Sequence, residues 1–411
     1  MNGKTSRRNF LKTCAATGAA YKLNLMASPL KPSIAIIGAG AFGGWSALML
    51  LRQGARVTLL DSWGPGNSRA SSGGETRVIR CTYGPAKLHT EMAARALELW
   101  KENEQRWGLK LFFNTGALWM AGQDDAFERA ALPVLKEAGV HFEQLSPADC
   151  DKRWPAINFE GVNWCLYEPD SGYLAARRAC EAVLNAFIKE GGEYRQAQAG
   201  PGPIESQHMN SLVLNHRESI RADQYVFACG PWLGQVFSFL APLVVPSRQE
   251  VFFFGLPPGD VQLPVWIDNG KHLFYGICGN HWRGFKIADD TRGPVVDPTK
   301  MEREVSESGL AAARAYMSMR FPFMSGAPLV ESRVCQYENS SDQYFILDRH
   351  PQVENVWIVG GGSGHGFKHG PVVGEMVRDA VLGLKPASKE MSLSRFKQTA
   401  SQQKGDRKAR S

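Results

Sequence analysis

The run Ser33-Ile34-Ala35-Ile36-Ile37 is apolar at every position after the first, the pattern of a parallel strand covered on both faces. It leads directly into Gly38-Ala39-Gly40-Ala41-Phe42-Gly43. Over residues 44–53 the apolar positions fall on a helical period, and after Gly54 a second strand over 56–60 ends at Asp61. Strand, glycine turn, helix, strand and terminal acid follow in order within about thirty residues, the arrangement of a dinucleotide-binding unit. Gly38 serves the tight turn, Gly40 the close approach of backbone to a pyrophosphate, and Gly43 the packing of helix on strand. Asp61 is placed to accept hydrogen bonds from ribose hydroxyls.

Two later segments repeat the strand-to-glycine ending. Residues 221–232 read as a strand ending at Gly230, and residues 355–362 as another ending in three glycines, with a helix predicted over 371–382. Three such turns, far apart in sequence, predict one nucleotide-binding sheet assembled from discontinuous segments. The stretches 112–171 and 241–342 carry short β-rich runs, such as 116–120 and 250–254, and predict a second, largely antiparallel unit over the cofactor's ring end. The expected fold class is α/β: a Rossmann-like domain from 31–111, 172–240 and 343–390, plus an antiparallel β-rich substrate domain from 112–171 and 241–342.

Composition narrows the function. With 44% hydrophobic and 21% charged residues, the 411-residue chain reads as a large globular protein. It has no apolar run of the length a membrane span needs, which argues against a stable membrane segment. The eight cysteines are scattered without C-x-x-C spacing, so neither a zinc ribbon nor a disulfide framework is expected, and no metal site is predicted. The net charge of +7 sits at the ends of the chain: +6 over residues 1–31 and +4 over 397–411, leaving −3 for the body. Nucleic acid is therefore not an expected partner. Ser6-Arg7-Arg8-Asn9-Phe10-Leu11-Lys12, followed by a weakly apolar stretch, resembles a twin-arginine export signal. It implies the twin-arginine translocase as a partner and a periplasmic or secreted location; a disordered basic start in a cytoplasmic protein is the alternative. Residues 1–30 are read as this signal and 391–411 as a basic tail.

Four stretches together resemble the monomeric sarcosine oxidase and N-methyltryptophan oxidase family: Ser71 through Arg80, Tyr275 through Lys286, Cys335-Gln336-Tyr337 with Phe345 through Asp348, and Gly362 through Lys368. Tyr167 through Gly172 and Pro246 through Gln249 fall between them, so the resemblance runs over about residues 33–390. It implies a two-domain fold that binds one FAD per chain and oxidises a secondary or primary amino acid to an imine, with molecular oxygen reduced to hydrogen peroxide. The Rossmann-like domain is then FAD-binding.

The resemblance also implies roles. Cys335 matches the cysteine bonded to the flavin's 8α-methyl group. Arg80 and Lys368 match the pair that holds the substrate carboxylate, for which guanidinium geometry suits a bidentate contact. Lys286 matches the lysine that promotes reduction of oxygen, where a cation stabilises developing superoxide. Tyr275 borders the substrate, Arg77 supports the flavin ring, and Gly362, Gly364 and His365 form the turn at the flavin's carbonyl edge. Gly73 and Asp290 stand where sarcosine enzymes have histidines, and Asp342-Gln343-Tyr344-Phe345 replaces an Asp-Glu-His-Phe run. These departures argue against sarcosine itself as substrate. Two alternatives stay open: an exported flavin dehydrogenase that passes electrons to a quinone or carrier, and a non-catalytic flavin-binding protein.

Overall fold

The computed structural model describes residues 31–396 apart from 260, 271, 272 and 280–282. The expected export signal over 1–30 and most of the basic tail, from 397 onward, lie outside the described residues.

Two large sheets organise the chain. The first has six strands in the order Ile346–His350, Val353–Gly360, Gln224–Phe227, Ser33–Ile37, Arg56–Asp61 and Glu193–Gln196. All neighbours in it are parallel except the Ile346–His350 and Val353–Gly360 pair. The three strands that end in glycine turns are thus adjacent, with Ile36 level with Val226 on one side and Leu59 on the other. Their buried positions, such as Ile34, Ile36, Tyr225, Val226, Phe227, Val356 and Ile358, are apolar or aromatic because both faces are covered, as parallel sheets require.

The helix Ala41–Arg52 is buried from Ala41 through Leu50. A helix apolar all round must lie inside the protein, and this one packs on the sheet and against the helix Gly370–Val381. The approach of the two helices is close: a Cβ on Gly374 would lie 2.7 Å from the Trp45 carbonyl oxygen. The observed helix begins one residue before the start predicted from the pattern, at Gly370, and ends at Val381.

The second sheet has eight strands, in the order Leu329–Asn339, Val245–Phe254, Phe285–Asp289, Leu273–Ile277, Val265–Asn269, Ala117–Ala121, Trp164–Glu168 and Glu143–Leu145. It is antiparallel except where Val265–Asn269 pairs with Ala117–Ala121. A small three-stranded sheet, Thr76–Ile79, Gly172–Ala175 and Phe112–Asn114, carries the segment from Arg77 toward Arg80. Among the described residues no helix is long and apolar enough to cross a membrane.

Candidate active site

The nucleotide end is built from the three glycine turns. Gly38 has a φ of +106°, and a Cβ there would lie 2.2 Å from the carbonyl oxygen of Ala228, in the turn of the neighbouring strand. Only glycine fits both the backbone and the gap. At Gly43 a Cβ would fall 1.8 Å from the Gly38 carbonyl oxygen, so the helix can sit down on the turn only without a side chain. Asp61 is more engaged than its strand-end position suggests: Oδ2 accepts from the Ala39 N–H at 2.8 Å, and Oδ1 from the N–H groups of Trp63 and Gly64 at 2.8 Å each. Burial pushes its carboxyl up, and these three backbone donors oppose the shift. A carboxylate has further lone pairs, so Oδ2 can still accept from a ribose hydroxyl.

A cavity of about 980 Å³ opens over these turns, lined among others by Gly38, Gly40, Asp61, Arg77, Glu338 and Gly362. Its volume is at the upper end of the range typical of ligand sites, about 300–1,000 Å³. A smaller cavity of about 30 Å³ adjoins it, lined by Tyr275, Lys286 and Cys335. Arg77, Tyr337 and Gly364 line both. The fold therefore brings Arg77, Tyr275, Lys286 and Cys335 to one place from three separate parts of the chain.

Two cations share one acceptor there. Lys286 is 2% exposed and its Nζ donates to the Thr76 carbonyl oxygen at 3.0 Å, while Arg77 Nη1 donates to the same oxygen at 2.8 Å. Burial, then the nearby Arg77 guanidinium, pushes the Lys286 ammonium down to about 7. Its Nζ lies 5.4 Å from the centre of the Tyr275 ring, and Arg77 Nη2 is 3.8 Å from the Cys335 sulfur. Burial raises the Tyr275 hydroxyl, which stays neutral.

Arg80 and Lys368 line neither cavity but flank one aromatic ring. The Arg80 guanidinium lies 4.4 Å from the centre of Tyr83 and 4.6 Å from that of Trp119. Lys368, 4% exposed, lies 5.4 Å from the centre of Tyr83 on its own account and donates to the Tyr83 hydroxyl and to the His365 carbonyl oxygen, at 2.9 Å each. Burial lowers the Lys368 ammonium, and the Arg80 charge lowers it further. Trp100 fixes the backbone at this point, its indole N–H donating to the Lys368 carbonyl oxygen at 2.7 Å. Asp290 accepts from the Tyr337 hydroxyl at 2.6 Å, and burial raises its carboxyl against the opposing pull of Tyr337, Arg80, Arg292 and Lys368. Of the remaining predicted residues, Gly364 has a φ of +80° beside the Tyr337 ring, and the ring Nε2 of His365 lies 3.2 Å from the Gln343 carbonyl oxygen.

Three residues of this region were not picked out by sequence. Tyr83 joins Lys368 and Arg80, three positions beyond the arginine. Glu168, 1% exposed, accepts from the N–H groups of Cys81 and Thr82 and from the hydroxyls of Thr82 and Ser171, at 2.6–3.1 Å. It pins the chain immediately after Arg80. Glu338 enters the large cavity from the strand Leu329–Asn339; with Glu331, Arg333 and Gln336 on the same partly exposed strand, no local signal set this acid apart.

Comparison with known proteins gives the class. The family model for FAD dependent oxidoreductases (DAO) matches residues 33–380. Monomeric sarcosine oxidase of Bacillus sp. (strain B-0618) is 30% identical over 371 residues, covering 85% of this chain and 92% of the relative. N-methyl-L-tryptophan oxidase of Salmonella agona is 26% identical over 381 residues, covering 90% of this chain and all of the relative. Among solved structures, L-proline dehydrogenase from P. horikoshii superposes with a TM-score of 0.80 at 19% identity, covering 90% of this chain and 98% of that one. The chain belongs to the DAO family of FAD-dependent oxidoreductases, in the group of amine oxidases that includes the sarcosine and N-methyltryptophan enzymes. The residues present fit FAD: the glycine turns leave room for a diphosphate at a helix N-terminus, and buried polar atoms without partners, Ser71 Oγ and Glu338 Oε2, belong to residues lining the cavity.

Proposed function

We propose that this enzyme oxidises an α-amino or N-alkyl amino acid to the imine and reduces oxygen to hydrogen peroxide. The observation that carries the reading is the placement of Arg80 and Lys368 about Tyr83, two cations of which one is almost wholly buried. Such a pair is matched to a carboxylate, whose charge offsets their mutual repulsion. When bound, FAD supplies the acceptor for the hydride that leaves the carbon beside the nitrogen. Arg80 and Lys368 orient the substrate by its carboxylate. Tyr275 walls the site from the side of the antiparallel sheet. Lys286 places a cation where negative charge develops on oxygen, and Cys335 anchors the cofactor as a thioether.

The test is an absorbance screen without oxygen, with amino acids and N-methyl amino acids set beside the corresponding amines that lack a carboxylate. Bleaching of the flavin by the acids, followed by peroxide on admission of air, supports the proposal. Bleaching with no peroxide but with rapid reduction of a quinone would replace the oxidase by a dehydrogenase. No bleaching by any amino acid would remove the substrate class.

Export through the twin-arginine pathway belongs to the same proposal and rests on Arg7 and Arg8. Replacing both by Lys should keep flavin-loaded protein in the cytoplasm, and an unchanged distribution in fractionated cells would refute it.

A further inference from the structure

Glu338 stands three residues beyond Cys335 on the strand Leu329–Asn339, opposite Pro246 of the strand Val245–Phe254. It is 8% exposed. Oε1 accepts from the Gly362 N–H at 3.2 Å, whereas Oε2 is buried and has no hydrogen-bond partner. The surroundings are shaped around the carboxyl: a Cβ on Gly362 would lie 3.0 Å from Oε1, and one on Gly360 3.3 Å from Oε2. Glu338 also lines the large cavity together with Gly38, Gly40, Gly230 and Gly362, so it stands where all three strand-end turns converge.

A buried carboxylate normally has a cation or several donors. The titratable side chains that share this cavity are Asp61, Arg77, His216, Cys229 and Tyr337, and none of them partners Oε2. Only the backbone N–H groups of Gly361 and Gly362 oppose the desolvation, and burial pushes the carboxyl up to about 7. In the protonated form one oxygen can accept from the glycine turn while the other donates into the cavity. An ionised Glu338 would instead set a second negative charge beside an anionic cofactor.

We propose that Glu338 is a cofactor-binding residue that acts protonated, donating from Oε2 to an oxygen of the ribityl–diphosphate chain of FAD. The proposal rests on the family's cofactor and not on the substrate proposed above. FAD binding then holds the proton on Glu338, and affinity falls as pH rises and the FAD-free protein loses it.

The test uses the Cys335→Ser protein, in which flavin binding involves no thioether, and follows the Kd for added FAD by flavin fluorescence. Between about pH 6 and about pH 8.5 the affinity should weaken by roughly tenfold, the direction set by proton linkage. Glu338→Gln in the same background keeps an uncharged donor and should bind FAD with little of that slope. Glu338→Ala should bind more weakly than its parent at the lower pH. A Gln variant that keeps the full pH slope, or an Ala variant that binds as tightly as its parent at both pH values, would overturn the assignment. If the Cys335→Ser parent bound no FAD at either pH, non-covalent contacts, that of Glu338 included, would hold none of the cofactor, and the assignment would fall.

Discussion

Lys368 donates to the Tyr83 hydroxyl at 2.9 Å, and that hydroxyl lies 2.8 Å from Nε2 of the buried His369. The lysine proposed to meet a substrate carboxylate is thus held in position by a neutral ring. Tyr83→Phe removes the hydroxyl and leaves Lys368 with the His365 carbonyl as its remaining protein acceptor. The variant should raise KM for the preferred amino acid with a smaller change in kcat. Arg80→Ala and Lys368→Ala should raise KM further, since loss of a hydrogen bond to a charged group costs about 1.5–3 kcal/mol, or roughly ten- to a hundred-fold. Steady-state kinetics with an uncharged amine as the second substrate checks this, because an equal loss for that amine would contradict a carboxylate contact.

Glu168 collects four donors around one buried carboxylate. Glu168→Ala leaves the Cys81 and Thr82 N–H groups without their acceptor and frees the chain that follows Arg80. Each unsatisfied buried donor costs about 1–3 kcal/mol, so a loss of roughly 3 kcal/mol or more is expected in unfolding stability. Denaturant titration gives the stability, and a raised KM in the protein that still folds would link the loss to the position of Arg80.

Lys286→Met removes the cation from the small cavity. Anaerobic reduction of flavin by substrate should change little, while re-oxidation by air slows by roughly a hundred-fold, the size expected when a fixed donor of about 3–4 kcal/mol beside a developing anion is lost. Stopped-flow mixing of reduced enzyme with oxygen isolates that step. Slow re-oxidation already in the wild type would point to a different electron acceptor.

The same lysine gives stability a pH dependence. Folding holds Lys286 down at about 7, against about 10.4 for an ordinary lysine. Between these values the unfolded chain binds the extra proton, so this group's contribution to stability rises with pH across that window. Its cost is therefore fully present below about pH 7 and fades toward the unfolded value. Lys286→Met has no proton to bind, so Tm of the variant relative to wild type should be highest at or below neutral pH and decline as the solution becomes alkaline. A difference in Tm that stays flat over this range would show that the lysine titrates normally.

Cys335 can be tested without kinetics. Its sulfur adjoins Arg77 at the edge of the small cavity. On acid precipitation the flavin should remain in the denatured pellet, and Cys335→Ala should release it. A colourless wild-type pellet beside a yellow supernatant would exclude the thioether.

The glycine turns and the buried strands could be read from the chain because each is a local demand, whereas the order of the strands in the parallel sheet is set by pairing between distant segments. Ile34 to Ile37 is apolar throughout because the strand is covered on both faces, and Gly38 and Gly43 have no substitutes where a Cβ would meet a backbone carbonyl oxygen at 2.2 and 1.8 Å. Resemblance to a family, carried by motifs such as Ser71 through Arg80, marked the candidate site residues. What lay beyond it was the company those residues keep. Arg77 and Lys286 are 209 positions apart yet donate to one Thr76 carbonyl; Tyr83 meets Lys368 across 285 positions, and Glu168 reaches Cys81 across 87. A local pattern records how a residue sits in its own strand, and it carries no term for which distant carbonyl or carboxyl will be buried beside it. Burial then changes the chemistry: the same lysine and glutamate that would be charged at a surface are pushed toward about 7 at Lys286 and Glu338 once the chain closes around them.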